Sequence, residues 1–178
     1  MSDRLVVVLG GTRSGKSRFG LARARELAGS RPVAYLATAW PGDPELDRRI
    51  EGHQRERPAS WPTIEVGPDL AAAIRSVDPT TPILLDGLTL WMSTVVGDGE
   101  PDIEAVLDGP VVRALEAIRD RAGPVIVVSD EIGLGMVPLD PGARGFRDLL
   151  GIVHQRLAAQ AHEVHLMVAG LPLTLVNR

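Results

Sequence analysis

Leu5-Val6-Val7-Val8-Leu9-Gly10-Gly11-Thr12-Arg13-Ser14-Gly15-Lys16-Ser17 is the stretch that decides the fold. Its first five residues are an unbroken apolar run, the pattern of a strand buried on both faces of a parallel sheet. The octet from Gly10 to Ser17 is a complete G-x-x-x-x-G-K-[ST] match, and Phe19, Leu21, Ala22, Ala24 and Leu27 then recur at helical spacing. Strand, glycine-rich loop and helix in that order make a phosphate cradle. The glycines let successive backbone N–H groups curl around an anion, and the helix N-terminus adds partial positive charge. Lys16 is the one lysine of the chain; the other eighteen basic residues are arginine. A P-loop needs a compact ammonium on a flexible stem to reach the β- and γ-phosphates, which a planar guanidinium replaces poorly. The expectation is a nucleoside triphosphate site.

The 178 residues fit one α/β domain, 1–178, with a sizeable core. A net charge of −4 and six aromatic residues argue against a nucleic-acid binder, which would show a basic face and stacking platforms. No cysteine is present, so neither a disulfide frame nor a thiolate zinc site is available. The apolar run after Met1-Ser2-Asp3-Arg4 is too short for a signal peptide, and no run approaches a membrane span. A cytoplasmic location is expected.

Apolar strand-like runs recur at Leu5–Leu9, Val33–Thr38, Ile83–Asp86, Val125–Ser129 and Val164–Val168. Helical patterns at Ser17–Leu27, Pro44–Arg57, Asp69–Val77, Leu88–Val96, Asp102–Arg121 and Gly145–Ala161 lie between them. Continuous apolar strands alternating with helices indicate a mostly parallel sheet flanked by helices. Leu173-Thr174-Leu175-Val176 would add an edge strand, and Asp98–Pro110, rich in Gly, Asp and Pro, reads as a surface connection.

Ile83-Leu84-Leu85-Asp86 is an apolar strand ending in a carboxylate, the Walker B arrangement. Ligands of open α/β sheets sit beyond the strand C-termini, so Asp86 would lie near Ser17 and hold Mg²⁺; a helix cap before Gly87 is the competing reading. Asp130 and Glu131 end another strand, where they would orient an acceptor or a water, or simply cap a turn. Of the four histidines, His162 and His165 flank the last core strand, and surface or edge positions explain them. His53 differs. Asp43-Pro44-Glu45 starts a helix, Pro58 ends it, and Leu46, Ile50, His53 and Arg57 share one face. His53 is then either a satisfied core histidine or a base or nucleophile toward phosphorus.

Three blocks together carry a resemblance: the P-loop; Arg49-Ile50-Glu51-Gly52-His53-Gln54-Arg55-Glu56-Arg57-Pro58 with Trp61; and Ser129-Asp130-Glu131-Ile132-Gly133-Leu134-Gly135-Met136-Val137-Pro138 with Ala143–Asp148 and Gln155–Ala159. In the same order and nearly end to end, they resemble the bifunctional adenosylcobinamide kinase / adenosylcobinamide-phosphate guanylyltransferase family. The resemblance implies a RecA-like P-loop domain and a homotrimer. It also implies two activities in cobalamin biosynthesis. One is phosphorylation of adenosylcobinamide by ATP or GTP. The other is transfer of GMP from GTP to adenosylcobinamide phosphate, giving adenosylcobinamide-GDP and pyrophosphate. The family's guanylylated histidine falls on His53. Its nucleotide contacts fall on Gly10, Gly11, Thr12, Arg13, Ser14, Gly15, Lys16 and Ser17, on Ala37, Thr38 and Ala39, on Gln54, Arg55, Glu56 and Arg57, on Glu65 and on Asp86. Two departures stand out: the acid at Asp86 is commonly glutamate in the family, and Gln54 stands where a basic residue is frequent.

Two rival classes remain. A plain small-molecule kinase would leave His53 in the core. A regulatory GTPase would need an N-K-x-D segment, which a chain whose lysine is Lys16 cannot contain.

Overall fold

The opening apolar run becomes β1 (Leu5–Gly10), a strand whose six residues are all buried. The computed structural model describes residues 5–39, 52 and 57–178. After the P-loop comes α1 (Lys16–Ala28), then β2 (Ala34–Ala37), β3 (Thr63–Glu65), α2 (Leu70–Ser76), β4 (Ile83–Asp86) and α3 (Leu88–Val96). A short α4 (Ile103–Val106), a π-helical turn (Leu107–Val111) and α5 (Val112–Arg119) lead into β5 (Val125–Asp130). The order ends with α6 (Pro141–Gln160), β6 (Glu163–Val168) and β7 (Leu171–Asn177).

Among the described residues the strands form one seven-stranded sheet, ordered β3-β2-β4-β5-β1-β6-β7. Every pairing is parallel except the β6–β7 hairpin. This is the single RecA-like P-loop domain that was expected. β5 lies between the P-loop strand and β4, the strand that ends in Asp86. In register, Ala37 lies opposite both Glu65 and Asp86, and Gly10 opposite both Asp130 and Met167. The strand ends therefore form one edge, where open α/β sheets bind ligands.

Alternation along the strands fills both faces. Val7, Leu85 and Val127 join Leu149, Leu150 and Trp91 in the larger core, while Val6, Val8, Leu84, Ile126 and Val128 pack under α1 with Leu21 and Ala24. Helix α1 sits very close to the sheet. A Cβ on Gly20 would lie 2.7 Å from Val128 Cγ2.

Four expectations need correction. Thr63–Glu65 is a strand that no pattern announced, because three residues on an edge are too few to show a period. Asp98–Pro110 is not wholly a surface connection. Helix begins at Ile103 with Asp102 as its cap, and Leu107 and Val111 of the π-helical turn, which also holds Pro110, are buried. Helix α6 starts at Pro141 rather than Gly145, because Asp140 accepts a hydrogen bond from Ala143 N and proline suits the first helical position. His165 is buried rather than peripheral, its ring edge-on to Phe19 at 4.9 Å. The helix read at Pro44–Arg57 falls outside the described residues except for Gly52 and Arg57.

Candidate active site

The P-loop owes its shape to two glycines and one neighbouring turn. A Cβ on Gly10 would meet Ser14 Oγ at 2.5 Å. Gly15 has φ of +91°, a left-handed conformation that costs glycine nothing, and it sits 3.3 Å from Gly170 Cα, measured from an added Cβ. Gly170 lies in the β6–β7 turn, and its N–H donates to Ser14 O at 2.9 Å. The hairpin thus braces the loop through its turn. Thr12 to Arg18, Asp130, Ala169 and Gly170 line an open cleft of about 590 Å³.

Two consecutive residues of α1 face carboxylates at strand ends. Ser17 Oγ donates to Asp86 Oδ1 at 3.2 Å, as the sequence pattern anticipated. Lys16 Nζ lies 2.6 Å from Asp130 Oδ1 and donates to Gly11 O at 3.3 Å. Asp86 also accepts from Tyr35 Oη at 3.1 Å, and the Arg57 guanidinium lies over the Tyr35 ring at 4.3 Å. A path of contacts therefore runs from the P-loop through Asp86 and Tyr35 to Arg57. Thr38, buried at the end of β2, donates to Gly87 O at 2.8 Å and so ties β2 to the end of β4. Ala37 and Glu65 lie on the same rim by register, Glu65 exposed. Ala39 follows Thr38 beyond the strand. His53, Gln54, Arg55 and Glu56 lie outside the described residues.

Sequence reading missed His154. It falls on the apolar stripe of α6 with Leu150, Val153 and Leu157, so its pattern is that of a core position. Its Nε2 lies 2.8 Å from Ser129 Oγ, which in turn lies 3.1 Å from Thr89 Oγ1. Thr89 Oγ1 accepts from Asp130 N at 2.9 Å. His154 Nδ1 lies 3.6 Å from Glu131 Oε2. Burial pushes the His154 pKa below the usual histidine range, against the opposing pull of Glu131 and Asp130. On the other side of β1, Arg23 grips Glu163, whose second oxygen also meets His165 Nε2 at 3.1 Å. The guanidinium holds the Glu163 carboxyl below the usual carboxylate range.

Comparison with known proteins names the chemistry. The family model described as cobinamide kinase / cobinamide phosphate guanyltransferase matches residues 6–175. The bifunctional adenosylcobalamin biosynthesis protein CobP of Pseudomonas aeruginosa is 41% identical over 170 residues, covering 95% of each chain. The bifunctional adenosylcobalamin biosynthesis protein CobU of Escherichia coli is 36% identical over 179 residues, covering 94% of this chain and 97% of its own. Among solved structures, the flagellar accessory protein FlaH of Methanocaldococcus jannaschii superposes with a TM-score of 0.57 at 12% identity. That match covers 99% of this chain and 80% of FlaH, a likeness of fold alone.

Proposed function

The chain belongs to the cobinamide kinase / cobinamide phosphate guanyltransferase family of cobalamin biosynthesis enzymes, and we propose that it runs two reactions at one triphosphate cradle. In the first, ATP or GTP phosphorylates the hydroxyl on the aminopropanol arm of adenosylcobinamide. In the second, GMP passes from GTP to that phosphate, giving adenosylcobinamide-GDP and pyrophosphate. The observation that carries the reading is the contact path Ser17–Asp86–Tyr35–Arg57. It joins the phosphate cradle to the last arginine of the segment that holds His53.

Each residue has a role in this reading. Backbone N–H groups of Gly11 to Ser17 and the Lys16 ammonium bind the phosphates. Ser17 Oγ and Asp86 Oδ1, 3.2 Å apart, form an all-oxygen donor pair that suits a hard cation, so they are the Mg²⁺ ligands of the proposal. A Mg²⁺ ion held by Ser17 and Asp86 would supply positive charge to offset the negative charge of the triphosphate. Ala37, Thr38, Ala39, Glu65 and Arg57, on the strand-end rim, complete the nucleotide contacts with Gln54, Arg55 and Glu56.

His53 is the nucleophile of guanylyl transfer. Direct transfer between two polyanionic phosphates must overcome their repulsion, whereas a neutral imidazole approaches the α-phosphate without it. An imidazole nitrogen bonds to the α-phosphorus as the bond to the bridging oxygen breaks, and pyrophosphate leaves with the electron pair into the cradle. A phosphate oxygen of the acceptor then attacks the same phosphorus, and the phosphorus–nitrogen bond breaks to restore His53. The proposal extends to the homotrimer that the family resemblance implies, for which the exposed Leu171, Leu173 and Leu175 of edge strand β7 offer an apolar contact face.

The test is label transfer. GTP labelled at the α-phosphate should mark the protein covalently, with a bond labile in acid and durable in base, and γ-labelled GTP should not. His53→Ala and His53→Asn should lose the mark and GMP transfer while keeping adenosylcobinamide phosphorylation by ATP. Normal α-labelling of folded His53→Ala would return that histidine to the core.

A further inference from the structure

Asp130 has no counterpart in the catalytic scheme above, yet it holds the one lysine of the chain. Its carboxylate lies 2.6 Å from Lys16 Nζ, and both side chains line the phosphate cleft. The pair is partly sheltered, with the Lys16 side chain 15% and the Asp130 side chain 33% exposed. Asp130 is also firmly mounted. Its N–H donates to Thr89 Oγ1 at 2.9 Å, Thr89 is fixed to Ser129 and through it to buried His154, and the next residue's N–H donates to Gly10 O at 3.0 Å. The backbone that carries the carboxylate is therefore held from both sides. A phosphate arriving on Lys16 must take the ammonium from a carboxylate and then sit beside it.

We infer that Asp130 sets the affinity of the cradle for polyphosphate: it holds Lys16 while the cradle is empty, competes with phosphate oxygens for the ammonium, and speeds the release of pyrophosphate. This rests on the reading above in which pyrophosphate is a product of GMP transfer. The physical effect does not depend on the nucleoside. Removing the carboxylate's charge removes both the rival partner of Lys16 and the repulsion felt by a bound polyanion, so polyphosphate should bind more tightly. A merely structural residue would give weaker binding when changed.

The experiment is calorimetric titration of the full chain with inorganic pyrophosphate and inorganic tripolyphosphate, with and without Mg²⁺. Asp130→Asn keeps the side-chain size and the backbone bond to Thr89. It should tighten both probes by about twofold to fivefold, the scale of a partly exposed ion pair. The gain should be larger without Mg²⁺, which otherwise screens the repulsion. Asp130→Ala should tighten binding in the same direction, and Asp130→Glu, which keeps the charge, should not. Pyrophosphate should inhibit GMP transfer by Asp130→Asn at correspondingly lower concentration. Unchanged or weaker binding by folded Asp130→Asn and Asp130→Ala, or equal tightening by Asp130→Glu, overturns the proposal. Because the probes carry neither nucleoside nor cobinamide, such a failure leaves the reaction assignment standing. Failure of the α-label test would leave this electrostatic result intact.

Discussion

Replacing Gly20 by alanine should damage the site far more than the fold. Gly20 lies one turn after Lys16 on α1, on the face that rests against the sheet. An added Cβ would be 2.7 Å from Val128 Cγ2, about 1 Å inside the ordinary carbon–carbon contact of about 3.7 Å. Val128 cannot give way easily. It is fully buried and its χ1 is stiff, and the added Cβ would also be in contact with Leu84 Cδ1 at 3.6 Å and Ile126 Cγ2 at 3.9 Å. The helix must therefore shift by up to about 1 Å, carrying Lys16 and Ser17 with it. Alanine gains about 1 kcal/mol of helix propensity, and overpacking costs about 1–3 kcal/mol, so the net loss of stability is at most about 2 kcal/mol. A shift of that size at reacting groups costs on the order of 100-fold in turnover. Phosphorylation kinetics with ATP, read beside the thermal midpoint, separate the two effects. Val128→Ala in the same chain removes the clashing methyl and should restore most of the activity, which makes the pair a double-mutant cycle. Turnover of Gly20→Ala within about twofold of the parent, or no rescue by Val128→Ala, would refute the argument.

Asp86→Asn keeps the size of the side chain but removes the anionic oxygen facing Ser17. It should raise the Mg²⁺ concentration for half-maximal activity by about tenfold or more while leaving nucleotide affinity less affected, and an unchanged Mg²⁺ titration would return Asp86 to a structural role. Buried Arg121 donates to the carbonyls of Ile74, Val77, Asp78 and Thr81 at 2.6–3.1 Å, stapling the turn between α2 and β4. Arg121→Ala strands those carbonyls and should cost about 2–4 kcal/mol in denaturant unfolding, with a loss under about 1 kcal/mol counting against the staple. Burial lowers the His154 pKa, so the folded imidazole takes up its proton at lower pH than that of the unfolded chain, which does so below about 6.5. Its contribution to stability is full above that pH and is lost as pH falls from there toward the depressed folded value. The unfolding free energy should fall more steeply from about pH 7.5 to 5.5 than that of His154→Gln, and parallel curves would show no linkage.

Local signals were legible and long-range ones were not. The apolar strand, glycine loop and amphipathic helix of residues 5–28 each declare themselves within a few residues, so β1 and α1 came out within one residue of their expected ends. Asp86 was legible because a carboxylate closing an apolar strand beside a P-loop has one obvious neighbour, and Ser17 is that neighbour. His154 was not. On a helix stripe it looks like any core residue, and only the packing of α6 against β5 brings it to Ser129 and Glu131. The late start assigned to α6 is a different failure. Asp140-Pro141 carries the same cap-then-proline signal that was read at Asp43-Pro44, but the glycines at 142 and 145 masked it.

The sheet order explains why one helix terminus meets two carboxylates. Asp86 lies opposite Val128 in register, and Asp130 is two residues further along β5. Residues two apart share a strand face, so Asp86, Val128 and Asp130 all face α1, with Asp130 about 6–7 Å beyond the Val128 level. Inserting β5 between β1 and β4 thus turns two distant sequence positions into partners for Ser17 and Lys16. The same geometry gives the lone lysine its meaning. Where this chain needs a permanent pair it uses arginine, as Arg23 does with two nitrogens on Glu163. A planar fork on a carboxylate is a strong bidentate contact that exchanges partners poorly. Lys16 instead meets Asp130 through a single point charge on a flexible stem. That is the side chain suited to leave a carboxylate for a phosphate and return when the phosphate departs.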